Sequence, residues 1–218
     1  MKRLRQALFA LPLLLVLLFV FRGFHSPYYT IEPFESWIVD DETGAPIEGA
    51  VMVATWELYR ESLHNAQFHE MAAVKESLSD KNGRVNFEGF ALLNPSMHYL
   101  REDPKIIVFK GGYEYYRAVN PCHTSSIQGD CRWAARLAVV AGKTIRLKKL
   151  DYSNTPKEGR PKTSMEHELY RGLVGELTYV DRSGKSGEIP QFVKAVDQEM
   201  DRLRNEGYSY FPNLPRFR

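Results

Sequence analysis

Apolar and polar positions divide this chain into three regimes. From Ala7 to Phe21 the residues are apolar, after the basic start Met1-Lys-Arg-Leu-Arg-Gln6. From Phe34 to Leu150 short apolar runs alternate with turn residues, which predicts strands. Beyond Thr163 the apolar positions recur every three or four residues, which predicts helices.

The middle regime yields seven candidate strands: Phe34–Val39, Ala50–Tyr59, Ala72–Ser79, Arg84–Phe90, Lys105–Lys110, Tyr113–Val119 and Lys143–Leu150. Seven short strands between turns predict a mainly β, Ig-like sandwich. Ile106-Ile-Val-Phe109 is apolar on both parities, which predicts a central strand. Strand alternation puts Tyr113 and Tyr115 on one face and Tyr116 on the other. Arg60–Met71, Ala91–Pro104 and Asn120–Gly142 read as long connections, the places where binding residues concentrate.

The last regime begins after a polar linker over 151–162 that contains Pro156, Gly159 and Pro161. Thr163-Ser-Met-Glu166 has capping-box spacing, and Met165, Leu169, Leu173 and Leu177 form one stripe. Ser183-Gly-Lys-Ser-Gly187 interrupts it. Phe192, Val196, Met200 and Leu203 form a second stripe, with Pro190 at its start and Gly207 at its end. A helical hairpin over 163–207 follows, packed on the sandwich, as amphipathic helices usually face their own core, or else on a partner. Residues 208–218 read as an extended aromatic tail.

The leader sets the compartment. Residues 1–6 form a basic n-region and 7–24 a membrane-spanning anchor, close to the roughly 20 residues a helix needs to cross a bilayer. No small-x-small cleavage site follows; removal of the leader as a signal peptide, giving a secreted domain, is the alternative. Lys2, Arg3 and Arg5 precede the span, and no Lys or Arg lies between Arg22 and Arg60. The positive-inside rule then places the rest beyond the inner membrane of a bacterium, in the periplasm. Residues 25–33 read as a linker.

Two stretches carry a family resemblance. One is Trp37-Ile-Val-Asp-Asp-Glu-Thr-Gly-Ala-Pro-Ile-Glu-Gly-Ala-Val-Met-Val-Ala-Thr-Trp56, read as strand, turn, strand. The other is Ser79-Asp-Lys-Asn-Gly-Arg-Val-Asn-Phe87, with a hairpin turn at Asp80–Gly83. Together they resemble the carboxypeptidase regulatory-like domain, a small β-sandwich also called transthyretin-like. The resemblance covers residues 34–150 and implies a non-catalytic module of folding, adhesion or assembly.

Chemistry-bearing residues are sparse. Cys122 and Cys131 bracket a short loop and in an oxidising compartment read as one disulfide; the rival is a metal site with His123, for which no further ligand pair lies near. The prealbumin-like fold also includes the hydroxyisourate hydrolases. This chain holds Trp37 where their first strand has a His, and its Tyr170-Arg-Gly172 is followed by Leu173 inside a helix, so that activity is not expected. No zinc signature accompanies His64, His69 and Glu70, and Asp80-Lys-Asn-Gly83 lacks the later ligands of a calcium loop. Ser96, His98, His123, Ser125 and Ser126 belong to no nucleophile motif. No catalytic residue, metal or cofactor is therefore expected.

Aromatic residues are the remaining constellation. Core and cross-strand packing accounts for most of the aromatics; Trp56, Tyr59, Tyr99 and Trp133 are the candidate binding residues, an exposed subset of which could stack on sugars or anchor a protein interface. A net charge of +2 argues against a nucleic-acid partner. The expected function is that of a membrane-anchored, non-catalytic accessory module meeting an envelope protein; a glycan-binding module is the alternative, and an unrecognised hydrolase follows it.

Overall fold

The computed structural model describes residues 28–61, 67–93, 99–119, 138–151 and 165–208. Within them lie nine strands in three sheets and two α-helices. The strands are β1 (Tyr28–Ile31), β2 (Phe34–Asp40), β3 (Val51–Glu61), β4 (Gln67–Leu78), β5 (Arg84–Phe87), β6 (Phe90–Leu93), β7 (Tyr99–Phe109), β8 (Tyr116–Ala118) and β9 (Thr144–Leu147). The helices are α1 (Met165–Arg182) and α2 (Pro190–Asn205), joined through a 3-10 turn at Ser186–Glu188.

Sheet order is β5-β2-β9 in one layer and β4-β3-β7-β8 in the next, with β1 and β6 paired as a ribbon. The ribbon continues the first layer. β2 pairs antiparallel with β5 from Phe34↔Phe87, and β1 with β6 up to Ile31↔Phe90. Between those pairs stand Glu32-Pro33 and Glu88-Gly89, where the ladder bends. A Cβ on Gly89 would lie 2.9 Å from the Ile31 carbonyl oxygen and 2.9 Å from Pro33 Cδ, so the bend needs glycine there.

Two cores result. Alternate residues of β2 (Phe34, Ile38) and β9 (Ile145, Leu147) meet Met52, Ala54 and Trp56 of β3 and Ile106 and Val108 of β7. The opposite parity of the four-stranded sheet, Val51, Val53, Ile107 and Phe109, meets the helices. That sheet is buried on both faces, and β7 lies between β3 and β8 as its unbroken apolar run predicts. The helical stripes supply the third layer: Leu173, Leu177, Phe192, Val196, Met200 and Leu203 are all buried. Both helices end in a Schellman motif. Gly184 and Gly207 take φ of 74° and 95°, and the amides of Lys185 and Tyr208 bond back to the carbonyls of Val180 and Leu203.

Several sequence expectations change. Among the described residues there are nine strands where seven were expected. Arg84–Phe90 is two strands, split by the bend at Gly89, and β1 lies inside the stretch 25–33 read as linker. Most of Arg60–Met71 and Ala91–Pro104 extends β3, β4, β6 and β7 instead of forming long loops. Asp80–Gly83 is a tight turn but not a hairpin. It connects β4 of one layer to β5 of the other, with Asp80 Oδ1 accepting from the amides of Asn82 (2.8 Å) and Arg84 (2.9 Å). Tyr113 and Tyr116 pack at the inter-sheet core, whereas Tyr115 packs at the helical core. Strict alternation fails because the strand begins only at Tyr116. No helix among the described residues is long and apolar enough to cross a membrane, and the anchor assigned to 7–24 lies outside them.

Candidate functional site

Four carboxylates hold the layers together, and the charged cleft beside one of them is the candidate site. Glu199 sits on the inner side of α2 and is 5% exposed. Its Oε1 accepts from the Gly112 amide at 2.9 Å and from Arg202 Nη2 at 2.8 Å; its Oε2 accepts from Arg202 Nε at 2.8 Å. This is a two-pronged guanidinium–carboxylate pair. It fixes α2 to the β7–β8 turn and raises the Arg202 pKa above its usual range. Around it opens a cleft of about 330 Å³ lined by Gly49, Lys110, Gly112, Gln198, Glu199 and Arg202 among others. Lys110 Nζ donates to the Glu48 carbonyl at 2.7 Å.

Asp40 ends β2 and is 3% exposed. Its Oδ1 accepts from the amides of Glu42 (3.1 Å) and Thr43 (2.9 Å) and from the Thr43 hydroxyl (2.9 Å), which closes the turn after the strand. Its Oδ2 faces Tyr113 Oη and Lys149 Nζ, both at 3.0 Å. The Thr43 amide, then Lys149, holds the carboxyl well below the usual carboxylate range despite its burial. Asp40 in turn raises Lys149, while burial and then Asp40 raise Tyr113.

Glu176 on α1 bridges Lys105 of β7 and Arg117 of β8, the latter at 3.3 Å. Lys105 is 8% exposed and lies 5.9 Å from the Tyr179 ring centroid. Burial and the Glu176 charge raise the Tyr115 hydroxyl alongside, against Arg117. Glu76 of β4 accepts from the amides of Gln191 (2.9 Å) and Phe192 (2.8 Å), capping α2 where Ile189 offers no side-chain cap.

These groups can orient and bind. The carboxylate oxygens are engaged by donors of the same chain, as struts between layers. Among the described residues no group of three His, Cys, Asp or Glu could hold a metal ion.

Trp56 is fully buried in the inter-sheet core, edge-on to Phe90 with ring centroids 4.9 Å apart, so it is a packing residue and not a binding surface. Tyr59 and Tyr99 stand opposite each other in the β3–β7 register. Trp133, Cys122 and Cys131 lie outside the described residues, as do His64, Ser96, His98, His123, Ser125 and Ser126. The four strut carboxylates were missed; a Glu inside an apolar helical stripe, as at Glu199 beside Met200, is the signal that could have pointed to one of them.

No family model matches this chain, and no curated protein matches it. Among solved structures, a 9R-lipoxygenase from Cyanothece PCC8801 aligns over 80% of this chain and 25% of its own, at 11% identity and a TM-score of 0.29. The chain spans a quarter of that protein's length, and a likeness this low carries no argument.

Proposed function

We propose that this protein is a non-catalytic accessory module of an envelope complex, with a transthyretin-like sandwich and a helical layer held beyond the inner membrane by an anchor at residues 7–24. One observation carries the reading: the carboxylates around the cleft and the helical layer bond inward to their own chain. Glu199, Asp40, Glu176 and Glu76 each join separate elements of the fold. Such a body suits a rigid scaffold that presents its surfaces to a partner. The basic start before the apolar run supports the orientation.

Crosslinking of the tagged full chain in its native membranes, with mass analysis of the N-terminus, tests this reading. The expected outcome is an intact Met1 end and one dominant envelope partner. A processed end with no partner would overturn it.

A further inference from the structure

The outer face of the β5-β2-β9 sheet carries an indole that belongs to neither core. Along β2, burial alternates: Phe34, Ser36, Ile38 and Asp40 point inward, and Glu35, Trp37 and Val39 are half-buried on the other side. β5 and β9 keep the same parity, so exposed Arg84 and Asn86, and exposed Thr144 and Arg146, share that outer face. Register sets Trp37 between Arg84 and Thr144, with Val39 beside Arg146 and Glu35 beside Asn86. Trp37 and Val39 are absent from both apolar clusters, and the helices pack on the other layer.

We propose that this face binds a linear pyranose polymer bearing carboxylate groups, with one sugar ring stacked on Trp37. Three strands spaced about 4.8 Å apart make a platform about 10 Å wide, enough to lay sugar rings flat across an indole. An aromatic face takes the apolar C–H side of a pyranose, and the ring hydroxyls then need planar polar groups at the edges. Arg84 and Glu35 supply such a group: Arg84 Nε donates to Glu35 Oε2 at 2.8 Å, and the pair is largely neutralised. Thr144 and Asn86 add a hydroxyl and an amide. Arg146 is exposed with no ion pair among the described residues, so a guanidinium without a carboxylate partner stands on this face beside Val39. A guanidinium in that position favours a sugar carboxylate through two-pronged pairing. The proposal does not depend on the membrane anchor or on the protein partner.

Affinity electrophoresis of the purified full chain in mild detergent tests it, with polygalacturonate, alginate or hyaluronate in the gel and hydroxyethylcellulose and dextran as neutral controls. Retardation is expected in at least one acidic polymer, above that in the neutral ones. Trp37→Ala should weaken it about tenfold, the loss of one good aromatic contact. Arg146→Glu, at an exposed strand position, should abolish it while leaving the thermal unfolding transition in place, which separates binding from folding. Trp37→Phe, which keeps an aromatic face, should retain part of the binding. The proposal is overturned if no acidic polymer retards the chain, or if retardation is unchanged in Trp37→Ala, which would make it a matter of charge alone. A change of oligomeric state in Trp37→Ala without any retardation would also overturn it and assign the face to a second copy of the chain.

Discussion

Glu76 reaches from β4 to the first turn of α2 and accepts the Phe192 amide at 2.8 Å, while its other oxygen accepts the Gln191 amide at 2.9 Å. The cap comes from a residue more than a hundred positions away in sequence, so helix and sheet each complete the other. A carboxylate at a helix N-terminus also meets the positive end of the helix dipole. Pro190 stands at the first helical position, where its missing N–H is no loss.

Replacing Glu76 by Ala should therefore cost about 1–2 kcal/mol, the value of a lost N-cap. Urea unfolding gives the magnitude. Hydrogen exchange gives the location: protection should fall first at Gln191 and Phe192. Equal loss across the sandwich would mean that the contact is incidental.

Glu199 is a stronger case because it is buried and bonded to Arg202 through both oxygens. Glu199→Ala leaves the Gly112 amide and one guanidinium without this acceptor, a change expected to cost about 3 kcal/mol. A double-mutant cycle with Arg202→Ala should show coupling of about 1 kcal/mol or more, since the two side chains share one network. Additive losses would show that burial of Glu199, not its pairing, sets the cost.

Asp40 predicts the acid limb of the stability curve. Its folded pKa lies below the unfolded value near 3.8. A carboxylate shifted down contributes stability that is present above about pH 4 and is lost as pH falls toward the folded value. Asp40→Asn should flatten the fall in thermal midpoint below pH 4 and lower stability at neutral pH, because Lys149 and the Thr43 amide lose a charged acceptor. An unchanged acid limb in the variant would assign that limb to other carboxylates.

Much of this architecture is legible in the residues, and the misses have physical causes. The β2 alternation, the apolar run Ile106–Phe109 and the stripe Phe192, Val196, Met200, Leu203 each follow from local periodicity. β1 and the split of Arg84–Phe90 were hidden because a bend in a ladder leaves strand composition on both sides of it. The turn at Asp80 has hairpin chemistry, yet whether its strands pair or part is decided by which sheet each one joins. The struts were hidden for a related reason: Glu76 looks like an ordinary surface residue, and the place of Glu199 in an apolar stripe does not name its partner, until long-range packing brings an amide to each of them. Trp37 lies in the stretch that carries the family resemblance, and local sequence does not specify that β5 and β9 flank it and leave it on the outer face.

Trp56 tests the distinction between packing and binding directly. Its ring is fully buried between the layers against Phe90, and its indole N–H has no hydrogen-bond partner among the described residues. Trp56→Ala should cost about 3–5 kcal/mol by leaving a cavity in the inter-sheet core. Trp56→Phe removes the buried N–H along with part of the ring. The relief of an unsatisfied donor, about 1–3 kcal/mol, opposes the loss of packing, so this variant should lie much closer to the parent. Thermal melting of both variants, read beside the acidic-polymer gel, separates the two roles of tryptophan in this chain. Trp56→Phe should melt near the parent and keep full retardation, because the ligand face is on the other side of β2. Loss of retardation in a well-folded Trp56→Phe would return Trp56 to the binding surface and remove Trp37 from it.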